Sequence, residues 1–138
     1  MAAAGLLTDF KSLTEQAIRA ADEFSQLYYK LYDTQRHRLA QLYTDHSLVV
    51  WNGNSCRGTQ QINLFYINHP ATEHQVTAMD SQPINKDATH DRTAILVTCE
   101  GKVKFEHEKE WRYFSQNFLL MSENTTWKII SDSYRFID

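Results

Sequence analysis

An arginine set between two aromatics, Tyr134-Arg135-Phe136, with a carboxylate three positions earlier at Asp132, is the grouping with the clearest chemistry in this chain. A guanidinium presents a planar fork of N–H donors that matches a carboxylate through two parallel hydrogen bonds, so Arg135 is a candidate for binding an acidic group on another molecule. An internal ion pair with Asp132, or a solvated strand end, is the plainer reading of the same residue. Aromatic and charged side chains gathered on one short segment expose apolar area, and this segment is expected to meet a partner.

Other chemistry-bearing residues form no signature. The run Glu106-His107-Glu108-Lys109-Glu110 contains a His-Glu pair but lacks the second histidine of a zinc-protease helix. Six histidines are dispersed, and Cys56 and Cys99 stand far apart without CxxC spacing, so no metal site is expected and the thiols read as free. None of the four glycines belongs to a nucleophile-elbow, Walker or dinucleotide pattern. No catalytic residue and no cofactor is therefore expected.

At 138 residues and 42% apolar content, the chain has the size of one domain with a sizeable core, taken as residues 1–138 with a flexible segment at 1–7. Fourteen basic against 17 acidic residues give a net charge of −3, and no basic footprint is present for direct nucleic-acid binding. Residues 1–7 lack the basic start and apolar run of a signal peptide, and no segment approaches bilayer-spanning length, so a cytosolic and nuclear location is expected.

The elements that must position Arg135 follow from periodicity. Phe10, Leu13, Ala17, Ala20, Phe24, Leu27, Tyr28 and Leu31 recur at helical spacing over 8–32. Asp33 is expected to open a second helix holding Leu39, Leu42 and Tyr43, and residues 59–67 a short third one ahead of Pro70. Strands are expected at 47–51, 76–81, 93–98, 101–106, 113–122 and 126–137, with Asn52-Gly53 and Glu100-Gly101 as breaks. Helices first and an antiparallel sheet afterwards make an α+β domain. Regular alternation along the last strand would put Trp127, Ile129, Ser131, Ser133, Arg135 and Ile137 on one side and Lys128, Ile130, Asp132, Tyr134 and Phe136 on the other, unless a bulge intervenes.

Taken in order, Tyr28-Tyr29, Leu31-Tyr32, Leu42-Tyr43, Val49-Val50-Trp51-Asn52-Gly53-Asn54, Gln82-Pro83, Val103-Lys104-Phe105-Glu106, Gln116-Asn117-Phe118 and Trp127-Lys128-Ile129 leading to Arg135-Phe136 resemble the nuclear transport factor 2-like family. Within it the chain is similar to the small nuclear export subunits that pair with the large subunit of the messenger RNA export receptor. The resemblance implies a cone: three N-terminal helices packed into a strongly bent antiparallel sheet whose other face serves for dimerisation. It implies a non-catalytic adaptor, shuttling between nucleus and cytoplasm, that heterodimerises with the large subunit, leaving RNA contact and most contact with nucleoporin phenylalanine-glycine repeats to that chain.

By the same resemblance, Arg135 pairs with an acidic residue of the large subunit. Gln116, Asn117, Phe118, Ser133 and Phe136 are expected to join it on the sheet face, with Phe118 as the anchor. Trp51 matches a tryptophan that touches repeats in homodimeric members, although a core or rim role fits it as well. One alternative is a homodimeric import factor for the GDP form of Ran, but Lys109 interrupts the acidic segment such a factor would use. The other is a small-molecule isomerase or dehydratase of the same fold, for which Asp132, Tyr134, His46 and His74 are the available acid–base pieces.

Overall fold

The computed structural model describes the backbone of residues 2–90 and 92–137, and side chains from residue 11 onward. A long helix α1 (Ala2–Thr34) leads into a 3₁₀ turn (Arg36–Leu42), strands β1 (Tyr43–Trp51) and β2 (Asn54–Arg57), and helix α2 (Gly58–Ile67). There follow β3 (Thr72–Pro83), a 3₁₀ turn (Lys86–Thr89), β4 (Ala94–Phe105), β5 (Arg112–Glu123) and β6 (Thr126–Phe136). The α+β class and the first and third expected helices are present, and the 3₁₀ turn at Lys86–Thr89 was not expected.

Helix α1 packs against the sheet because Ala17, Ala21, Phe24, Tyr28, Leu31 and Tyr32 recur every three or four residues and are all buried. The second helical segment differs from expectation. Asp33 lies in the last turn of α1, where its carboxylate accepts from the Thr72 hydroxyl at 2.8 Å, the His74 backbone N–H at 2.8 Å and His74 Nδ1 at 2.6 Å. It clamps α1 to β3 rather than capping a new helix. The chain then makes only a 3₁₀ turn, anchored by the buried Leu39.

The six strands lie in the order β2-β1-β6-β5-β4-β3. Every neighbouring pair is antiparallel except β1 and β6, which run parallel, so the sheet is mixed where an antiparallel one was expected. Residues 94–105 form one continuous strand across the expected break at Glu100-Gly101. The glycine instead permits a close approach of two strands. A Cβ at Gly101 would sit 2.0 Å from the Gln75 carbonyl oxygen, at the bulge of β3 between Val76 and Ala78 where it pairs with β4. The turn at Asn52-Gly53 is present, both residues having positive φ (47° and 85°).

A second bulge decides which way the last strand faces. Ile129 pairs with Leu120 and Ser131 with Leu119, so Ile130 is extra. Ile129 and Asp132 therefore both point inward, and beyond the bulge Asp132 and Tyr134 face the core while Ser131, Ser133 and Arg135 face out. The core lies between α1, α2 and the concave side of the sheet, filled by Tyr28, Tyr32, Tyr66, Phe114, Phe118 and Tyr134, each fully or almost fully buried.

Candidate partner interface

The convex side of the sheet carries Arg135. Reading across strands, Arg135 of β6 lies opposite Ser115 of β5, which lies opposite Glu100 of β4. The next row is Val50, Ser133, Asn117, Thr98 and Asp80, and the one after it Leu48, Ser131, Leu119, Leu96 and Gln82. Serines thus flank the arginine, and an aliphatic band of Leu48, Val50, Leu96 and Leu119 borders them around a shallow depression of about 150 Å³. Leu96 is 38% exposed, large for an aliphatic side chain on a sheet, and Arg135 is exposed.

Arg135 and Asp132 are on opposite sides of the sheet, which removes the internal ion pair between them. Among the described residues Arg135 has no hydrogen-bond or ion-pair partner. The convex face is thus a small-residue surface carrying an unengaged guanidinium and an apolar band, a composition that a sheet-to-sheet contact could use.

Of the residues expected on this face, Arg135, Ser133 and Asn117 are together there, and Asn117 accepts a 2.7 Å hydrogen bond from Thr98. Three are not, and these expectations are corrected. Phe118 is fully buried, its ring 4.8 Å from that of Tyr28 and 5.9 Å from that of Phe24, so it anchors the core rather than a partner. Gln116 is fully buried, its Nε2 donating to Asp132 (2.8 Å) and its Oε1 accepting from Tyr29 (2.7 Å). Phe136 lies on the concave side of β6, packed on Trp51 and Phe105 and covered by the Arg112 guanidinium 3.7 Å from its ring centre. Consecutive strand residues face opposite ways, so the triplet 116–118 could contribute only its middle member. Leu48, Val50, Leu96, Leu119 and Ser115 were missed; the alternation of β1, β4 and β5 was the signal, but it locates a face only once the pairing register is known.

The acid–base candidates gather inside the cone. Asp132 accepts from Tyr43 (2.5 Å) and Tyr28 (3.3 Å) as well as from Gln116. Burial pushes its carboxyl up to about 6, and the bonds from Tyr43, Gln116 and Tyr28 hold it from rising further. Burial first, then the Asp132 charge, keeps the Tyr28 and Tyr43 phenols protonated well above the ordinary phenol range. His74, with no exposed side-chain surface, spans Asp33 and the Tyr134 hydroxyl (3.0 Å), whereas His46 is exposed on β1, away from this network. Rings occupy the space in front of the carboxylate: Tyr134 is stacked between Phe114 and Trp51, and Tyr28 lies edge-on to Phe118.

Trp51 is half-buried at the end of β1, touching Phe65, His69, Phe105, Tyr134 and Phe136. Its indole N–H is buried near the Tyr32 hydroxyl without completing a hydrogen bond to it. Burial, reinforced by Arg36, lowers His69 to about 4, so it is neutral beside these rings. Residues 106–111 form an exposed to half-exposed loop between β4 and β5. Among the described residues no cluster of ligating side chains could hold a metal, and no helix is long and apolar enough to cross a membrane.

Three helical segments filling the concave side of a mixed six-stranded sheet, with an open convex face, define the nuclear transport factor 2-like class. Residues 20–136 match the Nuclear transport factor 2 (NTF2) domain model, and the chain belongs to that family. It is similar to NTF2-related export protein 2 of Homo sapiens, 43% identical over 94% of both chains, and to NTF2-related export protein 1 of Bos taurus, 42% identical over 94% of this chain and 95% of that one. In three dimensions it is similar to nuclear transport factor 2 of Cryptosporidium parvum, with a TM-score of 0.78, 26% identity, and coverage of 91% of this chain and 98% of that one.

Proposed function

We propose that this chain is a non-catalytic nuclear export adaptor. It pairs through the convex face of its sheet with the nuclear transport factor 2-like domain of the large subunit of the messenger RNA export receptor. The observation that carries this reading is Arg135, exposed among serines and bordered by an aliphatic band, with no partner among the described residues. The names of the two export-protein relatives agree with it. So does the packed cone, in which the hydrogen-bond partners of Asp132 are protein side chains and aromatic rings occupy the place of a substrate.

The mechanism is structural completion. The small chain covers a bare sheet on the large one, burying roughly 1,600 Å² in total, and Arg135 fixes the register by engaging an acidic side chain of the partner. The pair, stabilised in this way, binds nucleoporin phenylalanine-glycine repeats and passes between nucleus and cytoplasm. Trp51, half-buried against Phe65 of α2 and His69, supplies an additional contact for such repeats. Copurification from cells followed by native mass measurement tests the reading: a one-to-one complex with a larger chain is expected. A self-dimer that captures Ran-GDP would establish the import-factor alternative instead.

A further inference from the structure

At the end of the cone remote from Trp51, a cavity of about 440 Å³ opens between the first half of α1 and the segment joining β3 to β4. Its floor is the buried Ala17, Ala94 and Ile95, and two of these three are alanines, which leaves the space unfilled. Ile84 and Trp127, both half-exposed, form walls. Lys86, exposed at the start of the 3₁₀ turn, is the one charged residue among the described residues lining it. An apolar, partly enclosed space of this size with a single cation at its edge has the make-up of a small-molecule site.

We propose that this cavity binds a small amphipathic anion, an apolar chain or ring bearing one carboxylate, with its body on Ala17, Ala94 and Ile95 and its head group at Lys86. The sign of the ligand follows from Lys86, since no lining carboxylate among the described residues opposes it. The site is distinct from the convex face and from the Asp132 network, so it does not depend on whether the chain pairs with a larger subunit.

Titration of the full chain with octanoate, decanoate and decanol, followed by methyl NMR, tests the assignment. Saturable shifts are expected at Ala17, Ala94 and Ile95, with affinity rising about three- to fourfold per added methylene. Decanoate should bind up to about fivefold more tightly than decanol, the range of an exposed ion pair, and Lys86→Gln should erase that difference. Ala17→Leu should fill the floor and abolish both; should it fail to fold, the chain-length series and Lys86→Gln decide alone. Absence of saturable shifts at millimolar ligand, equal affinity for acid and alcohol, or shifts confined to the convex strands would overturn the proposal.

Discussion

The two sides of one sheet are built on opposite rules. On the concave side the buried acid–base groups are engaged: Asp132 is held by Tyr28, Tyr43 and Gln116, and His74 is fixed between Asp33 and Tyr134. On the convex side the guanidinium of Arg135 is exposed and unengaged, and Leu96 remains open to water. The same strands supply both, so Gln116 and its neighbour Asn117 belong to different environments. In this cone the buried acid–base groups serve one another, while the unengaged guanidinium lies on the outside.

Substitutions that respect this division should separate stability from partner binding. Phe118→Ala, on the concave side, should lower unfolding free energy by about 3–5 kcal/mol, read from denaturant titration, because a buried ring between Phe24 and Tyr28 leaves a cavity. Retention of wild-type stability would place Phe118 outside the core.

Asp132 should act through pH. Its folded-state value is raised to about 6 from 3.8, so its stabilising contribution is complete below about pH 3.8 and is lost as pH rises through 6. The ionised, buried carboxylate then costs about 3 kcal/mol at neutral pH by that displacement. Asp132→Asn should flatten this dependence between pH 3.8 and 6, with its amide oxygen accepting from Gln116 and its NH2 turned toward the Tyr28 and Tyr43 hydroxyls, which can accept. His69 works in the opposite direction: with its value lowered from 6.5 to about 4, its contribution is present above pH 6.5 and is lost as pH falls through 4. Asp132→Asn should therefore leave the protein more sensitive to acid, and His69→Gln less so. Thermal unfolding at about pH 4, 5.5 and 7 checks both, and identical profiles for the two variants would show that these groups do not titrate as their surroundings require.

Leu96→Glu, on the convex side, should have the smallest effect on folding, within about 0.5 kcal/mol, while weakening association with the partner. A large loss of stability would mean that the convex band belongs to the fold rather than to an interface.

Much of this architecture is legible in the amino-acid order. The stripe from Ala17 to Tyr32, the Asn52-Gly53 turn and the outward direction of Ser133 and Arg135 follow from periodicity and turn chemistry. The features that escaped were set by long-range pairing. Asp33 resembles a helix cap until β3 arrives beside it. Gly101 resembles a turn until the bulge of β3 is seen pressed against it, and nothing local says that β1 and β6 run parallel. The bulge at Ile130 is likewise invisible before β5 fixes the register. Phe118 and Gln116 were misplaced because an aromatic and an amide suit an interface as well as a core, and only the strand register assigns them inward.

Pairing through the convex face is tested most directly by calorimetric titration of the purified chain, as wild type and as Arg135→Asp, against the nuclear transport factor 2-like domain of the large export-receptor subunit. A tight one-to-one complex for wild type is expected, with a loss of about 2–5 kcal/mol for the variant while its melting temperature stays unchanged. Undiminished affinity in a folded Arg135→Asp protein, or no association of the wild type at all, would contradict it.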